Sequence, residues 1–255
     1  MDELKDKIEQ LRSEIKACKA QHIDFVESAA HDLHAPLRKL SVLIERLIAK
    51  REPLFDSDAK EYVNRIQTCI AEMRSLINGL TELARADAET NEFIACDLNI
   101  IIKETMQIMR EEIEEKNAVV TIDRLPVIQG NDFQYRQLFK NLFENAIKFS
   151  QKNIPAKIGV KAGPIAAEEE KHFNLENHKK YHKIEIRDNG IGFNQNYAEK
   201  IFEPFAHLHS RSKYNGSGIG LAICKKIVMN HKGIIYAEGN ENKGSRFVLI
   251  LPESP

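Results

Sequence analysis

Two stretches of the chain repeat apolar residues at alternating steps of four and three, and this spacing restricts the fold more than any other feature. The first runs through Val26, Ala30, Leu33, Leu37, Leu40, Ile44 and Leu47, and the second through Val63, Ile66, Ile70, Met73, Ile77, Leu80 and Ala84. Each is the stripe of a helix packed along a bundle. Between them the pattern breaks at KREPLFDSDA, where Pro53 interrupts and Ser57 or Asp58 is placed to cap a second helix, with Glu61 three residues after Asp58. Two antiparallel helices with one stripe each cannot enclose a core. A second copy of the hairpin closes it, so the spacing predicts a homodimeric four-helix bundle.

Upstream, Leu4, Ile8, Leu11, Ile15, Cys18, His22 and Phe25 keep the same spacing among charged residues, as in the seam of a parallel coiled coil, and the seam slips by one residue from Phe25 to Val26. His31 lies one residue off the stripe of the first helix, and at roughly 100° per residue it turns away from the seam. Asp32 follows it directly. Pro36, lacking an N–H, cannot bond the carbonyl of Asp32, which predicts a bend beside His31. A neutral imidazole nitrogen is a nucleophile, and an adjacent carboxylate can take a proton from the ring and fix its tautomer. On its own, this pair also suits an ordinary surface histidine beside an ordinary acid.

After Ala88 the periodicity changes. FIACDL, AVVTID, AKIGVKA, KIEIRD, GIIYAEG and RFVLIL read as strands; Asn99 to Lys116, a segment capped by Asn131 or Asp132 and running through Phe149, and Gly218 to Asn230 read as helices. Helices alternating with strands over this length predict an α/β sandwich, one helix layer on a mixed sheet. The fold class is therefore α+β, divided into a coiled-coil segment (1–25), a helical hairpin (26–90) and the sandwich domain (91–255). The polar piece from Gly163 to Lys183 reads as an exposed excursion of a hairpin; His178 and His182 stand four apart in it, with no third metal ligand in view.

Composition narrows the function classes. With 37 Lys and Arg against 38 Asp and Glu, the net charge of -1 makes no case for nucleic acid or a membrane surface as partner. The four cysteines, Cys18, Cys69, Cys96 and Cys224, are widely spaced and read as reduced thiols of a cytosolic protein. No apolar run reaches the roughly 20 residues a membrane span needs. The expected location is cytoplasmic, with anchoring of a longer protein left open. Beginning at a charged helix, the chain reads as the output end of a protein whose sensor part lies elsewhere.

Four motifs then follow in order. In NLFENAIKF, Asn141, Asn145 and Lys148 share one helix face, presenting two amides and an ammonium. An asparagine oxygen suits Mg²⁺ already held by phosphates, and a lysine offsets phosphate charge. DNGIG places Asp188 after a strand, able to accept from an exocyclic amine, with Gly190 and Gly192 letting backbone approach a flat ring. IFEPF sets Phe202 and Phe205 three apart, as hydrophobic packing. GSGIGLAI, with Gly216, Gly218 and Gly220, opens a helix whose N-terminus suits an anion, without the lysine of the GxxxxGK[ST] loop.

Taken in order, the asparagine helix, DNGIG, IFEPF, GSGIGLAI and the closing GSRFVLILP resemble the ATP-binding domain shared by histidine kinases, gyrases and a heat-shock chaperone. HDLHAPL, from His31 to Leu37, resembles the phospho-accepting box of sensor histidine kinases, departing from it at His34 and at Ala35, which replaces a small polar residue. The resemblance implies that Asn145 is the Mg²⁺ ligand and that Asp188 contacts the adenine amine. It further implies that Asn141 and Lys148 assist at the phosphates, that the second glycine run cradles them, and that Arg211 or Lys213 reaches the γ-phosphate from a lid between Phe193 and Gly216. It implies ATP and Mg²⁺ as cofactors, autophosphorylation of His31 assisted by Asp32, and passage of the phosphoryl group to an aspartate on a separate response regulator receiver domain. In the family the small polar residue positions the water that dephosphorylates the receiver, so Ala35 implies weak phosphatase activity. A conformational ATPase and a silent nucleotide-binding scaffold are the other classes; phosphohistidine formation separates both from a kinase.

Overall fold

The computed structural model describes residues 2–51, 54–86, 93–176, 178–208 and 216–255, and the chain divides into two compact units, 1–88 with 215–217 and 89–214 with 218–255. Pro53, His209, Arg211 and Lys213 lie outside the described residues.

The first unit is a hairpin of two helices, α1 (Asp2–Arg51) and α2 (Ser57–Ala86). α1 stays helical through Pro36. The cap of α2 is neither Ser57 nor Asp58 but Asp56, whose Oδ1 accepts from the Ala59 N–H at 2.7 Å. The loop therefore ends one residue earlier than the sequence suggested. Each stripe is divided in two. Ala30 and Leu37 in α1, and Ile70 and Ala84 in α2, are buried within the hairpin, with Ile44, Val63 and Ile77 half-buried in the same heptad positions. Most of the alternate positions stand uncovered: Val26 is buried, but Leu33, Leu40, Leu47, Ile66, Met73 and Leu80 are each 41% to 53% exposed. Phe25, the last residue of the upstream series, is 71% exposed, while Val26, the first of the next, is buried. Arg85 Nε donates to Glu27 Oε1 at 2.7 Å across the hairpin.

The second unit contains β1 (Ile94–Asp97), α3 (Leu98–Ile108), α4 (Arg110–Glu115), β2 (Val119–Ile122), β3 (Val127–Gly130), α5 (Asp132–Lys148), β4 (Lys157–Gly163), α6 (Ala167–His172), β5 (Tyr181–Asp188), α7 (Gly220–Asn230), β6 (Ile234–Asn240) and β7 (Gly244–Pro252). β1 and β3 form an antiparallel ribbon; the remaining five strands form a mixed sheet in the order β2-β4-β5-β7-β6, parallel only between β2 and β4. The helix expected from Asn99 to Lys116 is two helices, because Met109 leaves helical geometry (φ −92°, ψ 17°) with its side chain buried. β3 is an addition to the strands read from the sequence, being only four residues between Pro126 and the helix cap.

Alternation along the strands points Ile184, Ile186, Phe247 and Leu249 into the core, where Leu138, Phe139, Leu142 and Phe143 of α5 are also buried. The opposite face carries Lys183, Glu185, Tyr236 and Arg246. The segment read as a plain excursion places α6 against this face. Glu169 accepts from Lys183 Nζ at 2.7 Å and from the Tyr236 hydroxyl at 2.6 Å, and Phe173 stacks on Tyr236 at 5.5 Å. Among the described residues no helix is long and apolar enough to cross a membrane, and all four cysteines are free.

Candidate functional site

On α1, the His31 and Asp32 side chains are 88% and 82% exposed, with Nδ1 of the imidazole 3.5 Å from Asp32 Oδ1. Their neighbours on either side, Ala30 and Leu33, belong to the two halves of the stripe, so the helix turn itself directs His31 outward. The ring nitrogen beside the carboxylate is Nδ1, which leaves Nε2 as the outer nitrogen. Ala35, exposed one turn on, offers no hydrogen-bonding side chain.

The second unit gathers three of the sequence motifs around α5. Asn131 caps this helix, its Oδ1 accepting from the Gln134 N–H at 2.9 Å. Asn141, Asn145 and Lys148 lie along one face. Asn141 is buried, and its Nδ2 has no hydrogen-bond partner among the described residues. Leaving a buried donor unmade costs about 1–3 kcal/mol, so this amide is arranged for something other than its own fold. Asn145 and Lys148 are half-buried. Burial pulls the Lys148 ammonium below the usual lysine range, with Glu144 opposing, and its Nζ sits 4.7 Å from the centre of the Phe149 ring.

α7 lies against the same face. A Cβ at Gly220 would come within 3.3 Å of Asn141 Oδ1, so glycine lets the start of α7 approach the amide. Farther along, Cys224 Sγ bonds the Leu138 carbonyl at 3.7 Å, and the fully buried His231 accepts the Asn131 N–H on Nε2 at 2.9 Å while its Nδ1 meets the Ile227 carbonyl at 2.8 Å. The ring is therefore the neutral Nδ1–H tautomer, and burial holds its pKa below the usual histidine value. Gly218 (φ 71°) takes a left-handed backbone that a side chain would oppose.

Asp188 ends β5. Its Oδ1 accepts from the N–H groups of Gly190 at 2.8 Å and Ser245 at 3.1 Å, and burial raises its pKa against these bonds. The glycines of DNGIG serve backbone approach within the protein. A Cβ at Gly190 would meet the Phe149 carbonyl, the acceptor of the Ile191 N–H, and one at Gly192 would run into the Asn240 carbonyl. The turn after β5 and the turn between β6 and β7 thus pack backbone against backbone.

IFEPF is divided. Phe202 is buried, edge-on to Phe247 at 6.5 Å, as expected for packing, but Phe205 is 48% exposed at φ 64°. Glu203 is extended (φ −75°, ψ 141°), ending the short turn that holds Phe202 and taking Phe205 out of it. At His178 and His182 each histidine pairs with a different glutamate, Glu176 and Glu253, and no group of three His, Cys, Asp or Glu suited to a metal occurs among the described residues. Sequence reasoning did not single out Ser245, although the closing GSRFVLILP contains it, nor Gln151 and Asn189, whose contacts depend on strand pairing.

Comparison with known proteins agrees with this arrangement. Residues 21–89 match the His Kinase A (phospho-acceptor) domain, and residues 130–255 match the histidine kinase-, DNA gyrase B-, and HSP90-like ATPase. The chain is 30% identical over 247 residues to cyanobacterial phytochrome A of Nostoc sp., covering 97% of this chain and 30% of that protein. It is also 30% identical to the phytochrome-like protein Cph1 of Synechocystis sp., covering 97% and 31%. The chain thus spans about a third of the length of these two relatives. Among solved structures, full-length ShkA in complex with AMPPNP shares the fold at TM-score 0.62 and 20% identity, covering 90% of this chain and 45% of that one. The histidine kinase ThkA in complex with the response regulator TrrA does so at TM-score 0.57 and 20% identity, covering 93% and 64%. With a phospho-acceptor hairpin followed by this ATPase domain, the chain belongs to the sensor histidine kinases.

Proposed function

We propose that the chain is the kinase core of a two-component signalling protein, phosphorylating His31 from ATP and passing the phosphoryl group to an aspartate on a separate response regulator. The observation that carries the reading is the presence, in one chain, of an exposed His31–Asp32 pair on a helical hairpin and an amide beside the start of α7, Asn141 Nδ2, that is buried without a partner among the described residues. In this reading residues 1–25 form the signalling coiled coil, 26–90 the phosphotransfer hairpin and 91–255 the ATP-binding domain.

Asp32 holds the proton on Nδ1 of His31, and Nε2 attacks the γ-phosphorus of ATP. The N–P bond forms as the bond to the bridging oxygen of ADP breaks, and the ring proton passes to Asp32. The 3.5 Å separation in the free chain is long for a hydrogen bond, and tightening accompanies the reaction. Asp188 accepts from the adenine amine. Asn141 Nδ2 donates to a phosphate oxygen, satisfying the orphaned donor, and Lys148 and the N–H groups at the start of α7 offset phosphate charge. The residues fit a divalent cation held chiefly by the nucleotide: Asn145 would supply a neutral oxygen, and among the described residues no group of three His, Cys, Asp or Glu suited to a metal occurs. Mg²⁺, when bound there, would offset phosphate charge. Arg211 and Lys213 remain candidates for the γ-phosphate.

The uncovered heptad positions of α1 and α2 support a homodimer, and the response regulator is the partner expected to dock on the bundle near His31. The test is incubation with γ-labelled ATP, which yields an acid-labile, base-stable label dependent on Mg²⁺. Asn145→Ala is expected to lower the labelling rate by about 100-fold or more; a normal Mg²⁺-dependent rate in that variant removes the ligand assignment.

A further inference from the structure

Gln151, half-buried just beyond α5, has no counterpart among the motifs. Its Nε2 lies 2.9 Å from the Asn189 carbonyl, 3.0 Å from that of Gly190 and 3.1 Å from that of Asn242. A primary amide carries two N–H groups, so three carbonyls share them, and the amide orientation is fixed because Oε1 in that place would face three acceptors. Asn189 and Gly190 form the turn after Asp188; Asn242 is the tip of the turn between β6 and β7, at φ 62°. One backbone bond also joins the two turns, from the Asn242 N–H to the Ile191 carbonyl at 2.6 Å. Asp188 Oδ1 takes one N–H from each side of this junction, Gly190 from the first turn and Ser245 from the strand that leaves the second. The direction of the carboxylate therefore depends on the two turns staying in register, and Gln151 is the side chain that bonds both.

We infer that Gln151 is a positioning residue for base recognition, clamping the two turns so that Asp188 faces a purine bearing an amino group rather than a carbonyl. This rests on the reading above in which Asp188 accepts from the adenine amine. Asn141, Asn145 and Lys148 sit on α5 and are not held by this clamp, so the phosphate end keeps its grip when the clamp is lost. Nor is simple filling of space the role: what the three carbonyls require is a donor.

The experiment is equilibrium competition of ATP, GTP and inorganic tripolyphosphate against a fluorescent ATP analogue, on the full chain, with Gln151→Met, Gln151→Lys and Asp188→Asn. Methionine keeps the length without donors; lysine restores donors. For Gln151→Met the expected result is a loss of ATP-over-GTP preference by roughly 5- to 20-fold, a charge-assisted contact misaligned rather than deleted, with tripolyphosphate affinity unchanged. Gln151→Lys retains most of the preference. An unaltered preference in Gln151→Met, while Asp188→Asn abolishes it, overturns the role of Gln151 and leaves base recognition by Asp188 standing. So does a Gln151→Lys variant that folds but has lost the preference. A preference that survives in Asp188→Asn overturns the base-reading assignment, and the inference with it.

Discussion

Asp188 is held between opposing influences: burial disfavours its charge, while the Gly190 and Ser245 N–H groups favour it, and burial prevails. Its carboxyl therefore protonates at a higher pH than an ordinary aspartate, and nucleotide affinity is expected to fall on acidification sooner than an exposed carboxylate would dictate, as titration calorimetry across the acid range would register. Asp188→Asn removes a charged acceptor worth about 1.5–3 kcal/mol, roughly 10- to 100-fold in ATP affinity. His231 gives a stability counterpart. Its folded pKa is lowered from 6.5 by burial, so its contribution is complete above that value and is lost as pH falls through it toward the folded pKa. His231→Phe keeps the stack on Tyr135 but orphans the Asn131 N–H, a cost of about 1–3 kcal/mol in denaturant unfolding. Asn141, Asn145 and Lys148 were legible in the sequence because helical spacing alone puts them on one face. Gln151 and Ser245 were not, because their contacts arise only when β5 pairs with β7 and brings distant turns together.

At the level of elements, the stripes of α1 and α2 were readable in full, but their division into a covered and an uncovered half is a matter of packing. In one chain Ala30, Leu37, Ile70 and Ala84 are buried, while apart from Val26 the alternate positions stay exposed. Placing a carboxylate at an uncovered position such as Leu40 costs little in a lone hairpin and several kcal/mol in a closed core. Leu40→Asp is thus expected to convert a sedimenting dimer to monomer; a variant that sediments as the wild type contradicts the four-helix bundle. α6 was hidden from sequence reading because its amphipathic face is polar. Burial raises the Glu169 pKa, but bonds from Lys183, Tyr236 and the Ala166 N–H outweigh it and bring the carboxyl down to about 2. A depressed acid stabilises the fold above its ordinary value of 4.5 and loses that contribution as pH falls toward about 2. Hydrogen exchange in 164–176 should therefore accelerate over that window, and Glu169→Gln should show the faster exchange already at neutral pH.

Across the whole molecule, two units with different packing logic share the work: a hairpin that leaves half its apolar surface uncovered and a sandwich whose core is closed. The order of motifs along the chain was sufficient to name the family: HDLHAPL lies within α1, the asparagine motif within α5, DNGIG at the end of β5 and GSGIGLAI at the start of α7. Under the proposed function Ala35 has a consequence of its own: with no hydroxyl or amide to hold a water, dephosphorylation of the receiver is expected to be slow, and Ala35→Thr to speed it. Everything else follows from His31 receiving a phosphoryl group from ATP held in the C-terminal unit. The direct measurement is labelling of His31→Ala with γ-labelled ATP alongside nucleotide binding by the same variant. The account predicts unchanged nucleotide affinity and no acid-labile label; acid-labile label persisting at the wild-type level would contradict it.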